Sequence, residues 1–523
     1  MLRIKTALFS LFDRTGALEL AQALVHNGVV LYASSGTAAY LAEHEIPVHD
    51  ISTITGFANL LGGRVKTLHP DILAPILARK QNIGDITDLK TRDLKPMDLV
   101  VCSLYPFSAV AANRFSTAGQ LVEQIDIGGI TLIRAAAKNF SNCAILTRPD
   151  QYQNFLAEWQ DRGGISRDLL LRLSQEAFFT VAAYDAAIVR EMSTWQVRDS
   201  ECERKAGKFP PCEVVLLRKT QDLAYGENPH QQAAAYQTEH SGLQAEYTIT
   251  PLHGKAMSYN NMRDLSAVLD VLAEFDACTC VIVKHTNPCG VGHGASGLAA
   301  FQRAFATDTK SPFGGIVGLN VPVDAHLARE LHPMFLEIIV APAFTAEALA
   351  VLRKKKKRRL LIMQKRDVVK GQLRDMITHA QGVLLQDRNW VTKRLRFDVV
   401  SKRQPTQQEK QALSTAWKVV KHVHSNGIVL ADADGTVAIG AGQMSRVDGL
   451  ELALMKRELP QGFAVMASDG FFPFRDSVDL AHAHGIRAII EPGGSIRDKD
   501  VIAAADAHDM ALVFTHVRHF KHY

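Results

Sequence analysis

IKTALFSLFDRTGALELAQALVHNGVVLYASSGT, residues 4–37, decides the fold of the N-terminal part. Residues 4–12 form an apolar run suited to a strand. Residues 15–28, TGALELAQALVHNG, space their apolar side chains as a helix does. Residues 29–36, VVLYASSG, return to a strand, and TAAYLAEHE (37–45) reads as the next helix. MDLVVCSLYPF (97–107) and NCAILTR (142–148) supply two further strands. Strands alternating with helices predict a doubly wound parallel sheet over residues 1–150. Ligands of such sheets bind outside the carboxyl ends of the strands. Here those ends are SLFDRTG (10–16), ASSGT (33–37) and SLYPF (103–107).

A chain of 523 residues exceeds one hydrophobic core, so several domains are expected. Two helices are predicted over 151–198, then a polar, proline-bearing linker over 198–213, RDSECERKAGKFPPCE. Residues 151–213 are thus expected to be a helical connection and linker, and 214–523 a long α/β region. No strong internal repeat is visible. Hydrophobic residues at 47% and charged residues at 22% are ordinary for a soluble globular protein. No apolar run reaches membrane-span length, and the N-terminus lacks a signal-peptide pattern. Seven scattered cysteines fit reduced thiols, so a cytoplasmic location is expected. A net charge of +5 suits anionic ligands but is too mild to imply nucleic acid.

The N-terminal loops favour anions, because free backbone N–H groups and the helix dipole point at them. A plain helix cap explains Thr15 or Thr37 equally well. GGRVKTLHP (62–70) crowds Arg64, Lys66, Thr67 and His69 behind two glycines. IDIGGITLIRAAAKN (125–139) adds a carboxylate, a Gly-Gly turn, Arg134 and Lys138. With Tyr105, these groups could move a proton and steady an oxyanion; ordinary ion pairs at helix ends would use the same residue types.

In VIVKHTNPCGVGHG (281–294), an apolar strand ends on Lys284 and His285, and a loop of Asn287, Pro288 and three glycines is expected to follow. AYGENPHQ (224–231), HGKAMSYNN (253–261), SPFGGIVGLN (311–320), KVVKHVHSNGIVLA (418–431), GAGQMSRVD (440–448), ASDGFFPFRDSVD (467–479) and EPGGSIRD (491–498) are turns rich in Gly, Asn, Arg and paired aromatics. So many in one region point to a large, flat, anionic ligand. A zinc site is not expected, since Cys289 has no second cysteine at deaminase spacing and the CTC of 278–280 is too short. The closing HVRHFKHY (516–523) reads as a polar surface tail. RKKKKRR (353–359) reads as a phosphate or nucleic-acid patch or, more plainly, as a solvated helix end; no aromatic residues interleave its charges.

GRVKTLHP, LYPF, IDIGG-TL-RAAAKN, YGENPHQ, SYNN, VKH-NPCG, FGGI, HSN, GAGQMSRVD, SD-FFPFRD, PGGS-RD and RHFKH follow one another in order. That ordered set resembles the bifunctional purine-biosynthesis family that joins phosphoribosylaminoimidazolecarboxamide formyltransferase to IMP cyclohydrolase, along nearly the whole chain. The resemblance implies a methylglyoxal-synthase-like N-terminal domain and a duplicated cytidine-deaminase-like α/β region without zinc. It implies formyl transfer from 10-formyltetrahydrofolate, the co-substrate, to AICAR, giving formyl-AICAR, then ring closure to IMP. It further implies a homodimer that shares its transformylase sites, no catalytic metal, and neither nucleic acid nor membrane as partner.

By the same resemblance His285 transfers the proton, Lys284 stabilises developing negative charge or tunes the histidine, and Asn426 positions the formyl group. Asp476 lies on the folate side, and Phe471 and Phe472 line the folate pocket. Tyr225, Arg446 and Arg518 hold AICAR, with Asn261 and Gly314 as further substrate contacts. In the cyclohydrolase, Lys66 and Tyr105 are the acid–base candidates. Asp126 and Lys138 orient the amide, and Arg64, Thr67, Ser34 and Thr37 bind the nucleotide. Departures from the family pattern occur at Phe12, Arg14, Ser35, Leu73, Pro75, Ser103 and Phe140, and Ala224 replaces an arginine. They leave two alternatives open: a transformylase with weakened or lost cyclohydrolase activity, and a non-catalytic nucleotide- or RNA-binding protein.

Overall fold

In the computed structural model, the apolar runs of the N-terminal part become the strands Thr6–Ser10, Val30–Ala33, Leu99–Cys102 and Ala144–Leu146. The structure describes residues 1–56, 61, 65, 67–205, 209–239, 246–366, 374–389, 396–457 and 464–522. The chain packs as two compact units, the first from Met1 to Leu216 and the second from Leu217 onward apart from a few residues near Thr238. Among the described residues, no helix is long and apolar enough to cross a membrane.

The first unit is a five-stranded sheet in the order His49–Asp50, Val30–Ala33, Thr6–Ser10, Leu99–Cys102, Ala144–Leu146. Every pair is parallel. Chain order reverses between Thr6–Ser10 and Leu99–Cys102, which makes their carboxyl ends the switch point where ligands bind. Helices Tyr152–Arg162 and Arg167–Met192 do not form a free connection. Tyr152, Phe155, Trp159, Leu170 and Val181 join the core of this sheet, and Ser174 Oγ donates to Ala137 O at 2.8 Å. Part of the expected linker is also ordered. Trp195–Arg198 and Glu201–Arg204 pair as a hairpin, and Arg204 donates to Ala111 O, Asn113 O and Ser116 O.

The second unit is built on one twelve-stranded sheet. Its middle nine-element order repeats. Helix Tyr259–Leu272 leads into strands Thr279–Lys284 and Asn287–His293, helix Gly297–Phe305, strand Ile316–Leu319, helix Ala325–Leu331, strand Ile338–Ala341, helix Ala346–Leu352 and strand Arg359–Lys365. Helix Gln407–Val420 opens the same series, which closes on strand Ala511–Phe514. Each half pairs its hairpin antiparallel, its next strand antiparallel and its last two parallel. The halves meet where Gly292 pairs with Gly435. The duplication that the resemblance implies, though no internal repeat shows in the sequence, is therefore plain in the topology.

Residues 287–293 are a strand, not the expected glycine loop. Their glycines serve helix packing. A Cβ on Gly290 would stand 2.0 Å from Ala304 O, and one on Gly292 2.3 Å from Ala304 N, both in helix Gly297–Phe305. Gly290→Ala is expected to destabilise the second unit by about 1–3 kcal/mol, because backbone cannot yield as a side chain can. Urea unfolding of the variant against the parent measures it; an unchanged midpoint would refute the packing argument.

Candidate active sites

At the switch point of the first sheet, Ser103 Oγ accepts from the N–H groups of Phe12 and Asp13, both at 2.9 Å. One hydroxyl thereby clamps the first loop to the third. Thr37 Oγ1 accepts from Leu11 N at 3.0 Å and lies 3.3 Å from Ser34 Oγ. Ser34, Thr37 and Thr67 are buried. Arg14 Nη2 donates to Gly36 O at 3.1 Å, and its guanidinium sits 4.6 Å from the Tyr40 ring. The edge of Phe12 meets Tyr105 at 5.9 Å. Asp126 accepts from Gly129 N at 2.7 Å and from Tyr105 N at 3.4 Å. Its own N–H donates to the Tyr184 hydroxyl at 2.9 Å, and burial pushes that phenol up to about 12. Thr67 lies against Gly128, where a Cβ would come within 2.3 Å of its Oγ1.

Ser34, Thr37, Thr67, Tyr105 and Asp126 thus belong to the same loop end of the sheet. Lys138 does not. It is exposed at the far end of helix Gly128–Lys138, about 15 Å along the axis from the Asp126 end. Arg64 and Lys66 lie outside the described residues. Ser103 was legible only as a departure, and nothing in its residue type announced the clamp.

In the second unit, Lys284 pairs with Asn287, so His285 and Thr286 are the two central residues of a tight hairpin turn. Their φ angles are +52° and +61°, the left-handed pair that a type I′ turn requires. Asn-Gly is the usual occupant; a histidine and a threonine there store strain, which marks functional sites. Lys284 Nζ donates to Phe313 O at 2.8 Å. Thr286 N donates to Asp264 Oδ1 at 2.7 Å. Burial raises the Asp264 carboxyl above its ordinary value.

His424 holds the turn from the other half. Its Nε2 lies 3.1 Å from Thr286 Oγ1, its Nδ1 3.3 Å from Asn287 Nδ2, and its N–H donates to Asn287 Oδ1 at 3.0 Å. Burial, helped by Lys521 and Arg263, lowers the His424 ring to about 4, so it acts as a neutral hydrogen-bonding group. Two residues on, Asn426 Nδ2 donates to Gln443 O and Met444 O at 3.0 and 2.9 Å, which leaves its carbonyl oxygen to accept. A cavity of about 230 Å³ lies at this turn, lined by Lys284, His285, Cys289, Asp308, Ala441 and Lys456. Burial pushes the Cys289 thiol up to about 12, which removes it as a nucleophile.

Other expected site residues are placed less simply. Asn261 is buried in a capping box with Ser258 at the start of helix Tyr259–Leu272. Gly314 has φ +78° and donates to Phe335 O at 2.7 Å. Phe472 is fully buried in the core of the second half, so its ring lines no open pocket; Phe471 is the exposed member of the pair. Arg446 is buried, and it bonds Asp469 and, at 2.9 Å, Ser468 Oγ. Arg518 is exposed over Phe520 at 4.2 Å, and Asp476 is exposed at the start of its helix. Tyr225 is half-exposed on a second cavity. The tail is not wholly a surface feature, because His519 is buried and donates its N–H to Asp469 O at 2.9 Å.

Nothing in the residue pattern marks Glu491 beyond its place in EPGGSIRD. It is fully buried at the end of strand Ala488–Glu491, accepts from Phe472 N at 2.7 Å through Oε2, and leaves Oε1 unpartnered. Burial raises its carboxyl from 4.5 to about 8. The folded chain therefore holds a proton that the unfolded chain releases above pH 4.5. This stabilisation is complete below pH 4.5 and lost as pH rises through about 8. Glu491→Gln, neutral throughout, is expected to be on the order of 3 kcal/mol more stable than the parent at pH 8.5 and nearly equal at pH 4.5. Denaturation across that range tests it; a constant difference would show that Glu491 does not titrate.

Residues 16–131 match the MGS-like domain, and residues 136–456 match the family described as AICARFT/IMPCHase bienzyme. A bifunctional purine biosynthesis protein PurH of Elusimicrobium minutum is 42% identical over 99% of this chain and 99% of the relative. Its counterpart in Halalkalibacterium halodurans is 42% identical over 99% of this chain and all of the relative. That of Persephonella marina is 44% identical over the same shares. With relatives so similar matched end to end, the chain belongs to the AICARFT/IMPCHase bienzyme family, the bifunctional enzymes of the last two steps of IMP synthesis.

Proposed function

We propose that the His285 turn moves the formyl group of 10-formyltetrahydrofolate onto the 5-amine of AICAR, and that the switch point of the first sheet closes formyl-AICAR to IMP. The observation that carries this reading is the left-handed His285–Thr286 turn, held rigid by Asp264 and His424 beside a small polar cavity. An aromatic amine is a weak nucleophile. As its nitrogen attacks the formyl carbon, its proton must leave and the formyl oxygen becomes an oxyanion. His285 takes the proton, and Lys284 stabilises the oxygen. Collapse of the intermediate returns a proton to the departing folate nitrogen and leaves formyl-AICAR. Asn426, with its amide hydrogens committed to Gln443 and Met444, directs its carbonyl oxygen at the reacting group.

For ring closure, the carboxamide nitrogen attacks the formyl carbon and water departs. Tyr105 and Lys66 exchange the protons, and Asp126, fixed by Gly129 N, orients the amide. Thr67, Ser34, Thr37 and Arg64 border the nucleotide. Lys138 stands too far along its helix to reach Asp126 within one chain, which favours a homodimer in which a second copy completes the site. The enzyme works in the cytoplasm.

Purified protein mixed with AICAR and 10-formyltetrahydrofolate is expected to yield IMP faster than spontaneous closure, read by ultraviolet spectrum and chromatography. Accumulating formyl-AICAR would instead mean a transformylase with a lost cyclohydrolase, and no formyl transfer would overturn the reading.

A further inference from the structure

The hairpin that carries His285 belongs to the first half of the second unit, and Asn426 belongs to the second half. Formyl transfer needs both against one substrate, so their separation has to be fixed. Asp264 holds the turn from within the first half and cannot set it. His424 can. It lies two residues from Asn426, and it bonds both residues that follow His285.

The hydrogens of this contact follow from its partners. The backbone N–H of His424 can only donate, so the Asn287 atom 3.0 Å from it is the side-chain carbonyl oxygen. The Asn287 amide nitrogen therefore faces the ring, and His424 Nδ1, 3.3 Å away, must accept from it. A histidine that accepts at Nδ1 is neutral and carries its hydrogen on Nε2. That hydrogen goes to Thr286 Oγ1 at 3.1 Å, whose own hydrogen goes to His285 O at 2.7 Å. The Asn287 amide donates to the same carbonyl at 3.3 Å. Both paths from the ring thus end on the backbone of residue 285. On the other side, Gly442 N donates to His424 O and Asn426 N donates to Gln443 O, each at 2.9 Å, so residues 424–426 are laced to one loop.

We infer that His424 is a positioning residue for formyl transfer: its neutral Nε2–H ring locks the His285 turn of one half to the Asn426 segment of the other. The inference rests on the formyl-transfer reading. His424 acts through His285 and Asn426 and takes no share in the chemistry itself.

The test is His424→Leu against His424→Gln. Leucine fills similar space without a polar atom. Glutamine offers one acceptor and one donor at nearly the spacing of the ring nitrogens. His424→Leu is expected to lower kcat for formyl transfer about 10- to 100-fold, because lost alignment of reacting groups falls on the chemical step. The KM values for AICAR and 10-formyltetrahydrofolate should change little. His424→Gln should recover most of the rate, and ring closure of supplied formyl-AICAR should equal the parent's in both. Should His424→Leu fail to fold, Thr286→Val takes its place; it removes only the relaying hydroxyl and should show the same loss of kcat. An unchanged kcat, a loss that falls on KM alone, or a glutamine variant as slow as the leucine variant would overturn the assignment. Should the parent transfer no formyl group, the functional reading fails separately. Nitrogen NMR of the histidine rings in the full chain still decides the lock, with His424 assigned by the signal that His424→Gln removes. A neutral ring with hydrogen on Nε2 that shifts in Thr286→Val supports it. A charged ring, hydrogen on Nδ1, or a ring that ignores Thr286→Val overturns it.

Discussion

His285→Asn lowers kcat for formyl transfer by about 100- to 10,000-fold, the usual worth of a positioned acid–base group. Asparagine is the informative replacement. It accepts the left-handed backbone of residue 285 more readily than most side chains, so the hairpin keeps its shape. It fills space and bonds hydrogen but cannot take a proton at neutral pH. His285→Ala removes the same base but keeps the left-handed strain the parent carries at φ +52°, which asparagine partly relieves. The two variants should therefore fall to similar rates but differ in stability. Ring closure of supplied formyl-AICAR should be unaffected in both. A variant that keeps more than a tenth of the parent kcat would show that another group moves the proton. His424 does not compete for that role: burial holds it neutral, and Thr286 and Asn287 occupy its nitrogens.

The sequence revealed the first sheet well because its four longer strands are continuous apolar runs, each followed by a helical period. The two-residue strand His49–Asp50 offers no such run and escaped. The hairpin at Lys284 escaped for a different reason. Its turn residues are His-Thr, where sequence patterns look for Asn-Gly, and its return strand reads as a loop because two glycines punctuate it and a third follows it. Those glycines answer to a helix packed against them, a long-range constraint that no local pattern carries. The duplication is hidden similarly. Its halves share element order and pairing while VIVK and IVLA share only apolarity. For the paired Phe471 and Phe472, the resemblance implied two ligand contacts, whereas the chain buries one ring and exposes the other. Arg446 was legible as a cation and not as a paired one, since Asp469 lies 23 positions away.

Asp469→Ala is expected to destabilise the second unit by about 3–5 kcal/mol, because it strands a buried charge. Asp469 is fully buried and Arg446 is 8% exposed, so water cannot replace the lost partner. The carboxylate also accepts from Ser425 Oγ at 2.5 Å. Its backbone receives His519 N at 2.9 Å and donates to Gly427 O at 3.2 Å. One residue thus ties helix Arg446–Lys456, the segment bearing Asn426 and the C-terminal tail to the end of strand Val465–Ser468. Arg446→Met/Asp469→Leu separates the charge from the architecture. Removing both ions of a buried pair is far less costly than removing one, so the double variant should recover at least half of the lost stability. It should still bind AICAR poorly if Arg446 contacts the nucleotide, and normally if Arg446 serves only the fold. Chemical denaturation and substrate titration on the same three proteins distinguish these cases. A cost below about 1 kcal/mol for Asp469→Ala would mean that solvent reaches the pair, and its place beneath the site would have to be redrawn.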